Sequence, residues 1–310
     1  MTYKEKIGIL IPVYNESGTL SNLISKIKDL DYLKKNFESF EILVIDDGSD
    51  DETQNLLNKM KEVTTITHGY NMGVGAAVRN GLMYFENKNF DYVIKIDGDG
   101  QHEINEIKNL VEPLKVNEAD LVYGDRFNGV INYEMPKYRI LGNKFFTYVL
   151  RKLTKYKITD AQPGFFAGNK KFLSSFYILT NYNYTQQVIY SSYLAGLRFI
   201  QKPITFNQRL SGESFVKFSY PFKALLQILL LIIIKKPLSI FGYLGTILIF
   251  TSVVIASNQI YNYLYLDAAK PIININLVLG FGISGIILFI TAVILKAIQN
   301  LEETKRRKVI

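Results

Sequence analysis

Tyr92-Val93-Ile94-Lys95-Ile96-Asp97-Gly98-Asp99-Gly100-Gln101 is the stretch on which the fold turns. Residues 92–96 read as a very apolar strand, and that strand ends in two carboxylates one residue apart. The same pattern runs upstream. Ile7–Val13 reads as a buried strand, Ser17–Leu30 as a helix, and Glu41–Asp46 as a second strand. Asp51–Glu62 reads as a helix whose acidic start suits its dipole, Thr64–Thr67 as a short strand and Met72–Phe85 as a helix. Downstream, Ile104–Val116 reads as a helix and Asp120–Tyr123 as a strand. This βαβα order predicts an α/β domain with a mostly parallel sheet and helices on both faces. Ligands of such sheets sit outside the carboxyl ends of the strands. The polar clusters Tyr14-Asn15-Glu16, Asp46-Asp47-Gly48-Ser49 and Asp97-Gly98-Asp99 all fall at that edge.

Asp97 and Asp99 offer oxygen ligands to a hard divalent cation. Mg²⁺ or Mn²⁺ bound in this way uses few protein carboxylates and takes substrate phosphates as further ligands. The cation then neutralises charge developing on a leaving diphosphate. Gln101 could add a third oxygen. A pair of aspartates in a solvated turn is the alternative, which the position at a sheet edge disfavours. Phosphatases with an aspartyl nucleophile also carry Asp-x-Asp, but on the first strand and with Thr or Val two residues on; here the strand is the fourth and that residue is Gln101.

In Asp46-Asp47-Gly48-Ser49-Asp50-Asp51, a carboxylate could accept hydrogen bonds from a base or ribose, while Asp50 or Asp51 suits a helix cap. Asn71-Met72-Gly73-Val74-Gly75 opens a helix and would either approach phosphate or pack closely on the sheet. It is not a dinucleotide fingerprint, because Val78 stands at the third glycine position. His68 and His102 lack metal-pair spacing, and His102 reads as a surface-loop histidine. The absence of Cys excludes disulfides and thiolate metal sites.

Charges thin out towards the C-terminus. Residues 237–266 carry none, and neither do residues 271–295; a bilayer core takes about 20 apolar residues. Two transmembrane spans are expected, at about 238–258 and 273–295. The net charge is +8, and its placement favours a membrane over nucleic acid. Lys235 and Lys236 precede the first span; Lys296, Lys305, Arg306, Arg307 and Lys308 follow the second. That asymmetry predicts that both termini and the first domain are cytosolic, and the N-terminus has no signal-peptide pattern. Residues 137–157 hold seven Lys or Arg and no acid, with Leu141, Phe145, Val149 and Leu153 on one helical face. This is an amphipathic basic helix of the membrane-interface kind, or else a helix packed on the sheet. The expected organisation is a soluble domain at 1–218, an interfacial helix at 219–236 and a membrane region at 237–310. Glycines 242, 245, 280, 282 and 285 would let spans pack closely within or between subunits, which allows a homo-oligomer.

Together these residues resemble family 2 glycosyltransferases with the GT-A fold, in the branch that makes polyprenyl-phosphate sugars. The resemblance rests on Ile11 through Glu16, Asp46 through Ser49, Asn71 through Gly81, Asp97 through His102, Gly124 through Phe127, Asp160 through Phe166 and Arg209 through Ser214. It implies that Pro12, Tyr14, Glu16, Asp46 and Asp47 hold the nucleoside, with Gly98 and Ser214 also at the substrate. Asp97, Asp99 and Gln101 would bind the metal, and Arg126 and Arg209 would contact phosphates through guanidinium forks. Arg139 and Asn143 match positions that meet the lipid phosphate; Asp99, Arg126 and Asp160 would carry the catalysis. Mannose-type members often read Gly-Glu-Ser-Lys after the arginine; here Phe215 replaces the lysine and Lys217 lies nearby.

The implied activity is inverting transfer of a sugar from a nucleoside diphosphate to a polyprenyl phosphate. Two rivals keep the fold: a transferase acting directly on a glycolipid or other glycan, and a non-catalytic membrane scaffold. A processive polysaccharide synthase is excluded by the absence of Trp, since its Gln-x-x-Arg-Trp motif cannot be formed.

Overall fold

The computed structural model describes residues 5–209, 226, 229–230, 232–233, 236–266 and 269–307. The chain divides into two compact units, Met1–Ala224 and Leu225–Ile310. Most of the helix expected at 219–236 lies outside the described residues, as do Ser214, Phe215 and Lys217.

In the first unit, β1 (Lys6–Val13), β2 (Ser39–Asp46), β3 (Thr64–Thr67), β4 (Tyr92–Lys95), β5 (Leu121–Ile131), β6 (Phe166–Asn169) and β7 (Phe199–Phe206) form one sheet in the order β3-β2-β1-β4-β6-β5-β7. β1 pairs in parallel with β2 and β4, β2 with β3, and β5 with β7. Only β6 runs antiparallel to its neighbours. The helices are α1 (Leu20–Lys28), α2 (Asp31–Asn36), α3 (Thr53–Lys59), α4 (Val74–Asn87), α5 (Ile107–Lys115), α6 (Lys137–Thr154), α7 (Lys170–Leu173) and α8 (Tyr184–Leu194).

The central strands are apolar because helices cover both faces. Ile7, Ile9, Leu10 and Ile11 of β1 are fully buried, each contributing about 1.5–3 kcal/mol by leaving water. Close approach of α4 depends on Gly81: a Cβ there would lie 2.1 Å from Leu10 Cδ1.

Several boundaries differ from expectation, two of them for clear local reasons. The first helix is shorter, because the Glu16 carbonyl accepts from Thr19 and Leu20 in a turn and Leu30 is extended, after which α2 starts. β5 runs far beyond Tyr123, but its second half alternates between half-buried and exposed residues and shifts register between Asp125 and Val130. A polar, bulged strand carries no apolar run to announce it.

In the second unit, helices Tyr243–Tyr265 and Ile275–Arg307 pack antiparallel. Gly245 meets Gly285, the Ser252 hydroxyl donates to the Val278 carbonyl at 2.7 Å, and Gln259 Oε1 accepts from the Ile273 and Asn274 amides at 2.7 and 2.9 Å. The segments Leu238–Tyr265 and Ile275–Leu301, with mean hydropathies of 2.1 and 2.6, are long and apolar enough to cross a membrane. Most of their apolar side chains face outward, including Ile247, Phe250, Ile287 and Ile290. Of the glycines expected to aid packing, Gly245 and Gly285 do so within the hairpin, whereas Gly280 has nothing among the described residues within 4 Å of a Cβ built on it.

Candidate active site

Asp97 and Asp99 follow β4 at the carboxyl edge of the sheet, half-buried, and neighbouring loops close around them. The loop after β1 is bound to the loop after β2: the Asn15 amide donates to Ser49 Oγ at 2.9 Å, and the Asp50 amide donates to Asn15 Oδ1 at 3.0 Å. Asn15 itself is left-handed, with φ 59°, a conformation that Asn tolerates better than most residues. Pro12 and Gly98 are buried, and Tyr14 is half-buried. Thr19 Oγ1 donates to the Gly98 carbonyl at 2.7 Å and fixes the turn between the two aspartates.

The Asp46-Asp47 pair is buried and divides its work. Asp46 Oδ1 accepts from the Ser49 amide at 3.1 Å and from the Ser49 hydroxyl, while its buried Oδ2 has no hydrogen-bond partner among the described residues. Asp47 accepts from His68 Nδ1 at 2.7 Å, the Met72 amide at 2.9 Å and the Gly73 amide at 2.7 Å. Asn80 Nδ2 lies 2.9 Å from His68 Nε2. Asp47 thus ties β2 to the loop before α4. Neither Asp50 nor Asp51 is the N-cap of α3, which is Glu52; Asp51 accepts from the Thr53 amide at 2.9 Å in the turn before the helix, and Asp50 is held by Asn15. Gly73, just before α4, and Gly75, in its first turn, pack closely on the loop at Asn181 and not on the sheet: a Cβ on either would lie 2.6 or 2.7 Å from backbone atoms of Asn181.

The metal candidates form one cluster with Glu16 and Arg209. Glu16 is buried and pairs with Arg209. Burial pushes its carboxyl up to about 7, with Asp99 and Asp97 adding to the rise and Arg209 opposing it. Burial and the charge of Asp97 likewise raise Asp99. Burial would raise Asp97 too, but the Lys95 ammonium and His102 outweigh it and hold that carboxyl below the usual carboxylate range. Gln101 donates its amide N–H to Asp99 Oδ1 at 3.1 Å and its side-chain Nε2 to the Asn207 carbonyl at 2.8 Å, which leaves its side-chain oxygen as the atom that could serve a cation. Half-exposed carboxylate oxygens at a strand end suit a hard cation. Among the described residues no group of three His, Asp or Glu side chains could hold one, so a cation here would need substrate phosphate or water as well.

His102 is not a surface-loop histidine. It is 5% exposed, lies between the rings of Phe165 and Phe206 at 5.0 and 5.2 Å, and places Nε2 3.5 Å from Asp97 Oδ2. A polar ring beside the Asp-x-Asp was visible in the sequence, but the aromatic walls arrive from the residue just before β6 and from the end of β7, distant in the chain.

A second network joins the first through Phe206, whose ring lies 5.0 Å from the Arg126 guanidinium. Arg126 Nε and Nη2 bond Asp160 at 2.6 and 2.9 Å, and Nη2 also bonds the Gln162 carbonyl at 2.9 Å. Asn143 is buried in α6 and donates to Asp160 Oδ1 at 2.7 Å. Arg139, one turn earlier, is half-buried. The opposite face of α6 is open: Tyr138, Leu141, Phe145 and Tyr148 are exposed. The inward face of α6, with Phe146 and Leu150, packs against α8.

Lys95 and Gly164 went unnoticed in the sequence. Lys95 is a fully buried lysine bonded to Asp97, and Gly164 leaves the space that Asp97 Oδ2 occupies. A lone charge in an otherwise apolar strand, two residues before Asp97 and so on its face, was the available signal.

Residues 8–176, more than half of the chain, match the family model "Glycosyl transferase family 2". The chain is 27% identical over 184 residues to the UDP-N-acetylglucosamine–dolichyl-phosphate N-acetylglucosaminyltransferase of Methanococcus voltae, covering 54% of this chain and 70% of that protein. It is 31% identical over 221 residues to the dolichol-phosphate mannosyltransferase of Pyrococcus furiosus, covering 68% of this chain and 59% of that one. Among solved structures, glucosyl-3-phosphoglycerate synthase of Mycobacterium tuberculosis, in complex with Mn²⁺, UDP and phosphoglyceric acid, superposes with a TM-score of 0.56 at 17% identity, covering 74% of this chain and 78% of that one. That likeness bears on the fold and agrees with a GT-A architecture. With its family 2 match and its strand-edge cluster of Asp97, Asp99, Glu16 and Arg209, the chain belongs to glycosyl transferase family 2 and is a glycosyltransferase.

Proposed function

We propose that this glycosyltransferase moves a sugar from a nucleoside diphosphate to a polyprenyl phosphate at the cytosolic face of a membrane, with inversion. The observation that carries the reading is the gathering of Asp97, Asp99 and the Glu16–Arg209 pair at the carboxyl edge of the sheet. Bound Mg²⁺ or Mn²⁺, held by Asp97, Asp99 and the Gln101 oxygen, would neutralise charge on the departing nucleoside diphosphate. Pro12, Tyr14, Asp46 and Asp47 line the nucleoside side. Glu16 holds Arg209 beside the carboxylates, where its guanidinium meets phosphate. Arg126, fixed by Asp160, serves the phosphate oxygens from the other side. The acceptor is an anion at neutral pH, so positioning and charge compensation supply the rate without a strong general base.

The acceptor assignment draws on three supports: relatives named for dolichyl and undecaprenyl phosphates, the exposed aromatic face of the basic helix α6, and two helices with the length and apolarity of spans. The positive-inside pattern supports a cytosolic catalytic unit and cytosolic termini.

The test supplies radiolabelled sugar nucleotides, a polyprenyl phosphate and Mg²⁺ or Mn²⁺ to the full chain in detergent. An acid-labile lipid-linked sugar is expected. If no common donor yields one, the reading fails; an acid-stable glycolipid product would move the acceptor to a hydroxyl.

A further inference from the structure

Asp97 meets a fixed cation within the protein. Lys95 is fully buried while Asp97 is 31% exposed. The Lys95 ammonium donates to Asp97 Oδ1, donates to the Gly164 carbonyl at 2.7 Å, and lies 5.2 Å from the centre of the Tyr184 ring. An ammonium packed this way has no water to turn to, so its contact with Asp97 is permanent in the fold. The other Asp97 oxygen is confined between Gly164 and His102 Nε2. Lys95 offsets the charge of Asp97, so the two carboxylates offer an incoming divalent cation at most one net negative charge, and Arg209 beside Glu16 keeps that pair from adding to it.

We propose that Lys95 is a positioning residue that makes the nucleotide-free enzyme a poor cation site, so that the divalent ion is retained only together with the donor's diphosphate. The lysine presents Asp97 in one orientation and cancels its charge. A diphosphate restores the negative charge and supplies the missing oxygen ligands. This rests on the reading of Asp97 and Asp99 as the metal carboxylates.

The experiment is equilibrium dialysis of Mn²⁺ against the detergent-solubilised full chain, with and without UDP or GDP. The wild-type protein is expected to hold Mn²⁺ at least about tenfold more tightly with one of the nucleotides present. Lys95→Met is expected to raise nucleotide-free Mn²⁺ affinity at least about tenfold, the effect of removing one unit charge a few ångströms away. Lys95→Gln, which keeps a donor for Gly164, should do the same, and Lys95→Arg should leave the affinity near the wild-type value. Equal wild-type affinity with and without nucleotide overturns the proposal. So does an unchanged or weaker affinity in whichever neutral variant folds. Asp99→Asn separates the two readings. If it binds Mn²⁺ and nucleotide like the wild type, the metal assignment itself fails. If it loses that binding while the neutral Lys95 variants behave like the wild type, the Lys95 proposal alone fails.

Discussion

Asp160 grips Arg126 in a two-point pair, with Nε 2.6 Å from Oδ2 and Nη2 2.9 Å from Oδ1. The same carboxylate accepts from Asn143 at 2.7 Å and from the Gln162 amide at 3.0 Å, so a strand, a helix and a loop converge on one buried charge. Burial alone would raise the Asp160 carboxyl; Arg126 and these donors reverse that and hold it below its ordinary value.

Removing one member of such a pair strands the other. Asp160→Ala should destabilise the protein by about 3–5 kcal/mol, the usual cost of leaving a buried charge without its partner. Thermal unfolding of the detergent-solubilised chain measures it, and a loss below about 1 kcal/mol would show that water replaces the carboxylate.

Gly164 gives a sharper test of the metal carboxylates. A Cβ there would lie 1.7 Å from Asp97 Oδ2, so Gly164→Ala must turn that carboxylate. Transfer activity should fall by about a hundredfold, the effect of an ångström-scale displacement. Circular dichroism should show the fold retained. Unchanged activity would mean that the orientation of Asp97 is immaterial.

Glu16 makes stability depend on pH. Its carboxyl titrates near 7 in the folded protein against 4.5 ordinarily. The folded state therefore holds the proton more tightly, and stability declines as pH rises from about 4.5 to about 7, levelling off above. Glu16→Gln should flatten the melting temperature across that window. A variant with the same slope as the wild type would assign the slope to another group.

In the second unit, Gly245 and Gly285 each face the other's carbonyl, where an added Cβ would lie 2.7 Å away. Gly245→Val should cost about 1–3 kcal/mol by overpacking, read from unfolding in mixed micelles. Gly280→Val, at a position where no described residue lies within 4 Å of an added Cβ, is the matched control and should be near neutral.

The sequence by itself determined the α/β order, the two long apolar segments and the polar strand ends, because each is written in contiguous residues: apolar runs, hydrophobic period and the Asp97-Gly98-Asp99 step. Among the strands it missed β6, β7 and the long reach of β5. β6 is a short antiparallel insertion, β7 is mostly half-buried with Gln201, Lys202 and Pro203 at its centre, and β5 is polar for half its length, so none shows a period. Only the tertiary structure decided what surrounds the carboxylates. Lys95 reads as a stray charge until Gly164 and Tyr184 close over it. His102 reads as a loop residue until Phe165 and Phe206 enclose it. Asn143 reads as part of a basic helix until Asp160 claims it. These pairings join residues 17 to 104 positions apart. Burial then gives them their strength, since a charge deprived of water must take whatever partner the fold supplies.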